Sequence, residues 1–351
     1  MVEMRYLFPL NKSNQQRQLE KLTWVYPVQL AMVATKLKNE GHKVNWDGKD
    51  DGSFDKIYET DYQLKDFDFA SLPYPDRVFT KAKEKRWQRY GNYRRHPATH
   101  SMVSNLCWYG RCVFCQDTER LKSGESRGLR TVDHFIEEID NCISLGFKEI
   151  FDDSGTFPVG KWLEEFCSIM IKSGRNKKIL LGCNMKPVKL DYKMMAKAGF
   201  KFILVGIESA NQKTVDIIQK GQRSEDIIPI MKSMSDAGLA PHTTWMSNYP
   251  FETFEEEKNS IELCSYLLRK GYAKTAQASI YCPPHTPPNP TSEGHKRIPM
   301  YFNAYKHPEF WMHKIKDIKR WEDVTYLIRG GRLVIEEKLR KLTHKYKPTG
   351  Q

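Results

Sequence analysis

Long hydrophobic runs are missing from this chain. Of its 351 residues 40% are apolar and 28% charged, and no stretch approaches the roughly 18 to 20 apolar residues of a membrane span, which excludes a transmembrane helix. The opening residues Met1 to Tyr6 lack the charged-then-apolar plan of a secretory signal, so the expected location is cytoplasmic. Cysteine is sparse too. Eight in a chain this long do not make a disulfide scaffold, and Cys142, Cys167, Cys183, Cys264 and Cys282 are scattered singly, as buried thiols of a reducing compartment are. A second metal cluster would need a second tight cysteine group, and there is none.

What is present in excess is positive charge. With 56 Lys+Arg against 43 Asp+Glu the net charge is +13, which brings anionic partners such as RNA, nucleotides or a phosphorylated substrate into view. The run from Lys81 to His96 interleaves cations with Trp87, Tyr90 and Tyr93, as a surface that stacks bases and grips phosphates would. A solvated basic linker over 77–98 is the preferred reading, with nucleic acid as the secondary partner class.

Periodicity gives the fold class. Tyr6–Leu10, a helical pattern from Pro27 to Asn39 and His42–Trp46 read as strand, helix, strand. Residues from about Asp50 to Asp76 show little periodicity and read as a linker. From His100 onward strands at His100–Asn105, Glu149–Phe151, Ile179–Cys183, Phe202–Val205, His242–Met246 and Ala276–Tyr281 alternate with helices at Val132–Leu145, Lys161–Ile171, Tyr192–Ala198, Thr214–Ile218, Glu225–Ala237 and Phe254–Arg269. Six strands alternating with helices argue for a parallel α/β sheet, open or closed. The proline-rich run from Pro283 leads to a mostly helical tail (Pro308–Ile318, Trp321–Ile328, Arg332–Leu342), expected to cap the sheet's open side. The divisions are therefore 1–76, 77–98, 99–285 and 286–351.

The chemistry centres on Cys107-Trp-Tyr-Gly-Arg-Cys112-Val-Phe-Cys115, where x4 and x2 spacings bring three thiolates around one point. Trp108, Tyr109 and Phe114 would give them an apolar shell. Three ligands without an evident fourth leave a coordination position open, the mark of a catalytic centre. The alternative is a zinc site completed by His96 or His100.

This loop resembles the cluster loop of the radical S-adenosylmethionine (radical SAM) enzymes. Its first spacing is x4 where x3 is usual, as in the "CWxGxCxFC" loops of cobalamin-associated members. The resemblance covers about residues 100 to 285 and implies a partial (β/α)6 TIM-type barrel with a small N-terminal α/β segment. It implies that Cys107, Cys112 and Cys115 hold three irons of a [4Fe-4S] cluster while the fourth chelates SAM. Reductive cleavage then gives a 5′-deoxyadenosyl radical that takes hydrogen from an unidentified substrate, with electrons from a donor such as a flavodoxin or ferredoxin.

The carboxyl ends of the strands carry the remaining resemblances. Asp152-Asp153-Ser154 resembles the second-strand motif, implying contacts to the SAM ammonium, or else is a polar turn. Asn184 and Lys186 stand where relatives carry "CNxR", with Lys186 directed at the SAM carboxylate but lacking a bidentate fork. Val205-Gly-Ile-Glu208-Ser matches "GIES", which implies that Glu208 binds the ribose hydroxyls; an internal ion pair is the alternative. Met246-Ser-Asn-Tyr-Pro-Phe-Glu252-Thr253 resembles "GLPGET", with Asn248 and Phe251 in place of glycines. Asn248 tolerates left-handed backbone, whereas Phe251 narrows the space for adenine or substrate. Cys282, at the sixth strand end, reads as a packing thiol. The segment from Tyr26 to Val44 resembles the opening unit of a cobalamin-binding domain, which makes cobalamin a further possible cofactor. Only one such unit fits, there is no Asp-x-His-x-x-Gly signature, and His42 reads as a turn residue.

Overall fold

The computed structural model describes residues 3–10, 25–89, 93–284 and 293–329. The chain forms two compact units: one of residues 1–66, 72–100 and 317–351, the other of residues 67–71 and 101–316.

In the first unit β1 (Arg5–Phe8), β2 (Lys43–Trp46) and β3 (Lys56–Ile57) form a parallel sheet in the order β2-β1-β3. Parallel neighbours need a crossover, and the helix Val28–Asn39 supplies it. Its fully buried Ala31, Met32, Val33 and Ala34 share the core with Leu7 and Phe8, whose ring centroid lies 5.3 Å from Tyr58 and 5.9 Å from Trp46. His42 is a turn residue, its Nδ1 accepting from the Met4 amide at 3.4 Å.

The stretch expected as a solvated basic linker turns its aromatic rings inward. Trp87 and Tyr93 are buried, Trp87 stands edge-on to Tyr26 at 5.7 Å, and Arg86 lies over Trp87 while pairing with Asp47 at 2.6 Å. Burying a large aromatic is worth about 2–3 kcal/mol, more than a solvated arm recovers. Neither ring is free to stack on a base; Tyr90 lies outside the described residues. The tail divides rather than forming one cap. Residues 321–329 are helical and belong to this unit, where Asp323 pairs with Arg94 at 2.8 Å and Arg329 donates to the Tyr93 carbonyl. His285 and the expected helix Arg332–Leu342 lie outside the described residues.

The second unit is built on a six-stranded sheet in the order β4-β5-β6-β7-β8-β9: β4 (Ala98–Ser101), β5 (Glu149–Asp152), β6 (Leu180–Met185), β7 (Phe200–Glu208), β8 (Ala240–Ser247) and β9 (Thr275–Ile280). Pairing is parallel from β5 to β9, sequential strands are neighbours, and β4 and β9 are the edges, so this is the partial α/β barrel expected. The division between units falls within β4. That strand ends at Ser101, earlier than the sequence pattern suggests, because the next amides are drawn off by side chains: Val103 N–H donates to Asp152 Oδ2 (2.9 Å) and Ser154 Oγ (3.0 Å).

The crossover helices are amphipathic. Val132–Ser144, capped by Thr131 on the His134 amide at 3.2 Å, buries Phe135, Ile139 and Cys142. Lys161–Lys172 buries Leu163, Phe166 and Met170, and Phe254–Arg269, opened by a Thr253/Glu256 capping box, buries Ile261, Cys264 and Leu268. Cys142, Cys167, Cys183 and Cys264 are buried free thiols, and Cys282 is half-buried. A fully buried Arg130–Glu138 pair ties the helix Val132–Ser144 to the residues just before it. No helix among the described residues is long and apolar enough to cross a membrane.

Candidate cofactor site

The cysteine loop starts where β4 has ended. Cys107 N–H donates to Asp117 Oδ2 at 2.8 Å, and Cys115 caps the helix Gln116–Lys122, its carbonyl accepting from Thr118 N at 3.1 Å. Asp117 therefore reaches from that helix to the first cysteine and fixes the loop's span. Gly155, after β5, lies against the same contact: a Cβ there would stand 2.4 Å from Asp117 Oδ2 and 3.1 Å from Cys107 Cβ. Trp108 Nε1 donates to the Phe157 carbonyl at 3.1 Å, tying the loop to the β5 turn.

A second clamp comes from the turn after the short helix Gln212–Ile217. Val113 N–H donates to the Ile218 carbonyl (3.1 Å) and Tyr109 OH to that of Gln219 (3.0 Å). Gly221, at φ +60°, meets Tyr109 so closely that a Cβ would lie 2.0 Å from its hydroxyl. Lys186 Nζ, at the end of β6, donates to the Lys220 carbonyl at 2.5 Å and lies 3.0 Å from the Tyr109 ring centroid.

Cys107 and Cys112 are buried and Cys115 half-buried. Burial pushes the Cys112 thiol up, against the opposing pull of Lys220 and Lys186, and burial with the Asp117 charge pushes Cys115 up to about 11. Both hold their protons at neutral pH until a metal displaces them. Among the described residues no group of three His, Cys, Asp or Glu side chains is placed to hold a single metal ion, the three loop cysteines included. His100 is engaged elsewhere, its Nδ1 2.5 Å from Tyr93 OH.

The other expected residues divide. Asp152 and Ser154 bond to the end of β4: Asp152 accepts from Ser101 Oγ, Val103 N and Ser154 N, and Ser154 Oγ from Val103 N and Ser104 N. Burial pushes Asp152 up to about 7. Asp153 stays half-buried, 3.5 Å from Asn184 Nδ2, which also donates to the Ser154 carbonyl at 3.0 Å. Phe114 is half-buried, with Lys220 Nζ 5.6 Å from its ring centroid. Glu208 takes a left-handed backbone (φ 68°) at an irregularity in the β7–β8 register, and its Oε1 pairs with Lys220 Nζ at 3.0 Å, the internal ion pair named above. Asn248 is left-handed as its type allows (φ 66°) and lies against Gly294. Glu252 braces the loop after β7, accepting from Ser209, Asn211 and Thr214. Phe251 joins Tyr249 and Tyr281 in an aromatic cluster with centroids 4.7–5.9 Å apart.

Sequence reasoning passed over Asp117, Gly155 and Lys220. The only signal for them was Lys220-Gly221 closing a helix just after "GIES".

The second unit thus joins a partial parallel barrel to a three-cysteine loop and two lysines gathered beyond its strand ends. Residues 102–264 match the profile of the Radical SAM superfamily. No curated protein matches the chain. Among solved structures it is similar to the radical SAM methyltransferase TsrM from Kitasatospora setae (18% identity over 56% of this chain and 38% of that one, TM-score 0.46). It is also similar to the cobalamin-dependent SAM radical enzyme OxsB (15%, 85% and 41%, 0.45) and to methylornithine synthase PylB (11%, 66% and 69%, 0.44). The chain spans about two fifths of the length of TsrM and OxsB.

Proposed function

We propose that this chain reductively cleaves SAM at a [4Fe-4S] cluster held by Cys107, Cys112 and Cys115, and that the product radical takes hydrogen from a substrate. The observation that carries the reading is the double clamping of the cysteine loop, by Asp117 on one side and the 218–221 turn on the other, with Lys186 and Lys220 acting on Cys112. Three thiols and two cations suit a cluster that carries net negative charge with its thiolates and leaves one iron open. When bound, the cluster supplies the electron that splits the sulfonium, giving a 5′-deoxyadenosyl radical. The chain's own part is to bind, orient and keep out water. In this reading Glu208 accepts from the ribose hydroxyls, Lys186 meets the SAM carboxylate, and Asp153 with Asn184 lies toward the ammonium. Asn248 lines the adenine side, and Trp108, Tyr109 and Phe114 exclude solvent.

Residues 99–285 are then the catalytic core, with the flanking segments as appendages. The buried free thiols suit a reducing, cytoplasmic compartment, where a ferredoxin or flavodoxin serves as electron donor. Cobalamin-dependent methyl transfer is the second reading. The parallel β2-β1-β3 sheet of the first unit favours it, and cobalamin retained through purification supports it.

The test is anaerobic reconstitution with iron and sulfide, then dithionite and SAM. About four irons per chain and 5′-deoxyadenosine are expected, both lost in the triple Cys107→Ala/Cys112→Ala/Cys115→Ala variant. A wild-type chain that takes up one zinc and forms no deoxyadenosine refutes the reading.

A further inference from the structure

Lys220 is a buried cation on a tightly held turn of the second unit, and neither family resemblance nor sequence motif gave it a role. Its turn is held by three contacts at once, from Val113 N–H to Ile218 O, Tyr109 OH to Gln219 O and Lys186 Nζ to the Lys220 carbonyl. Gln219 and Gly221 on either side adopt left-handed backbone (φ 52° and 60°). Space for the ammonium is left by Gly206, where a Cβ would stand 2.7 Å from Lys220 Nζ and 2.6 Å from Glu208 Oε1. Two β-strand residues and a whole turn are thus shaped to bury one lysine, which only a specific electrostatic task rewards.

Its contacts say which task. Of the three N–H donors on Nζ, one goes to Glu208 Oε1, and no other protein acceptor is found among the described residues. The contacts of Glu208, from Lys220 and from Thr244 Oγ1 at 3.5 Å, both fall on Oε1. Oε2 has no hydrogen-bond partner among the described residues, and the side chain is nearly buried.

We propose that Lys220 is a positioning residue for SAM. It locks Glu208 by one oxygen so that the other is presented to the ribose hydroxyls, and it does so through Glu208 rather than by touching the reacting atoms. The proposal rests on the SAM-binding reading above. In an isolated chain Glu208 on a left-handed backbone has several rotamers; with Lys220 bonded to Oε1 a single one is held, and the ordering cost is met before the ligand arrives.

The experiment is calorimetric titration of SAM into oxidised, reconstituted enzyme, in which no cleavage occurs, with iron content and melting temperature measured alongside. Lys220→Met, compared per iron-loaded chain, is expected to bind SAM about tenfold to a hundredfold more weakly, the worth of one oriented bond to a charged group. Glu208→Gln is expected to lose a similar factor, and Lys220→Met/Glu208→Gln no more than either alone, because both act through one contact. Lys220→Arg, which keeps the charge, restores part of the affinity. If Lys220→Met does not fold, the neutral double variant, which leaves no buried charge unpaired, is compared with Glu208→Gln; a further loss in the double overturns the proposal. Wild-type affinity in Lys220→Met, or losses that add, likewise overturns it while leaving the function reading intact. Failure of the wild-type enzyme to bind SAM at all overturns that reading instead.

Discussion

Replacing Gly155 by alanine tests whether the β5 turn truly abuts the first cysteine. The backbone of Gly155 is not in the left-handed region, so alanine is conformationally acceptable there, and its entropic effect on the unfolded chain is a gain of about 0.4–1 kcal/mol. Against this, the new Cβ would lie 2.4 Å from Asp117 Oδ2 and 3.1 Å from Cys107 Cβ. Asp117 can swing aside only by releasing the Cys107 amide it holds at 2.8 Å, a bond to a charged group worth about 1.5–3 kcal/mol. Crowding against the Cys107 side chain adds about 1–3 kcal/mol. The net cost is about 2–5 kcal/mol, which lowers the melting temperature of a unit of this size by about 5–15 °C. Scanning calorimetry on the iron-free protein reads that shift, and iron content after reconstitution reads its consequence for the loop. In the Asp117→Ala background the same Gly155→Ala change is expected to cost only the crowding against Cys107, about 1–3 kcal/mol, since the obstructing carboxylate is gone. An unchanged melting temperature with full iron in Gly155→Ala would refute the reasoning.

Three further outcomes follow from the same structure. His242 is buried with Nδ1 2.7 Å from Thr275 Oγ1, and burial together with the Lys314 charge lowers it to about 4. The unfolded chain takes up a proton near pH 6.5 that the folded chain refuses, so stability is full above that pH and falls by about 3 kcal/mol on acidification toward pH 4; urea titrations should show His242→Gln with a flatter acid limb. His100, lowered to about 3 by burial, steepens the same limb. Glu138→Gln leaves Arg130 charged and uncompensated at a fully buried position and is expected to cost about 3–5 kcal/mol by thermal melt, whereas Glu138→Leu/Arg130→Met costs less than either single change. Lys186→Met removes the bond to the Lys220 carbonyl and is expected to cost about 1.5–3 kcal/mol and to lower iron loading; equal loading and stability would show that the β6 end does not clamp the loop.

Much of the fold was legible because its determinants are local. The helix over Phe254–Arg269 was read to the residue from its place in the alternation and the closing Gly271, and the β5 to β9 strands were found from apolar runs between turns, with ends within a few residues. β4 ends four residues earlier than expected because what ends it is remote: the Asp152 and Ser154 side chains, about fifty positions on, take the amides that would have continued the ladder. The run from Lys81 to His96 was misread for a similar reason. Composition cannot say which side of Trp87 and Tyr93 faces water; a core assembled from Tyr26 and the tail decides that.

The sequence by itself determined the chemistry available: three thiols at x4 and x2, a carboxylate after "GIES", and an α/β alternation that sends strand ends to one side. Residue types and short spacings are properties of the chain, so they survive without a structure. Only the tertiary structure decided which of these groups meet. Asp152 and Ser154 were drawn into the β4 turn, Asp117 and Gly155 were brought to Cys107, and Lys220 was delivered to Glu208 from twelve residues away. These are outcomes of packing, in which a backbone without a Cβ at Gly155, Gly206 or Gly221 lets distant segments close within hydrogen-bonding reach.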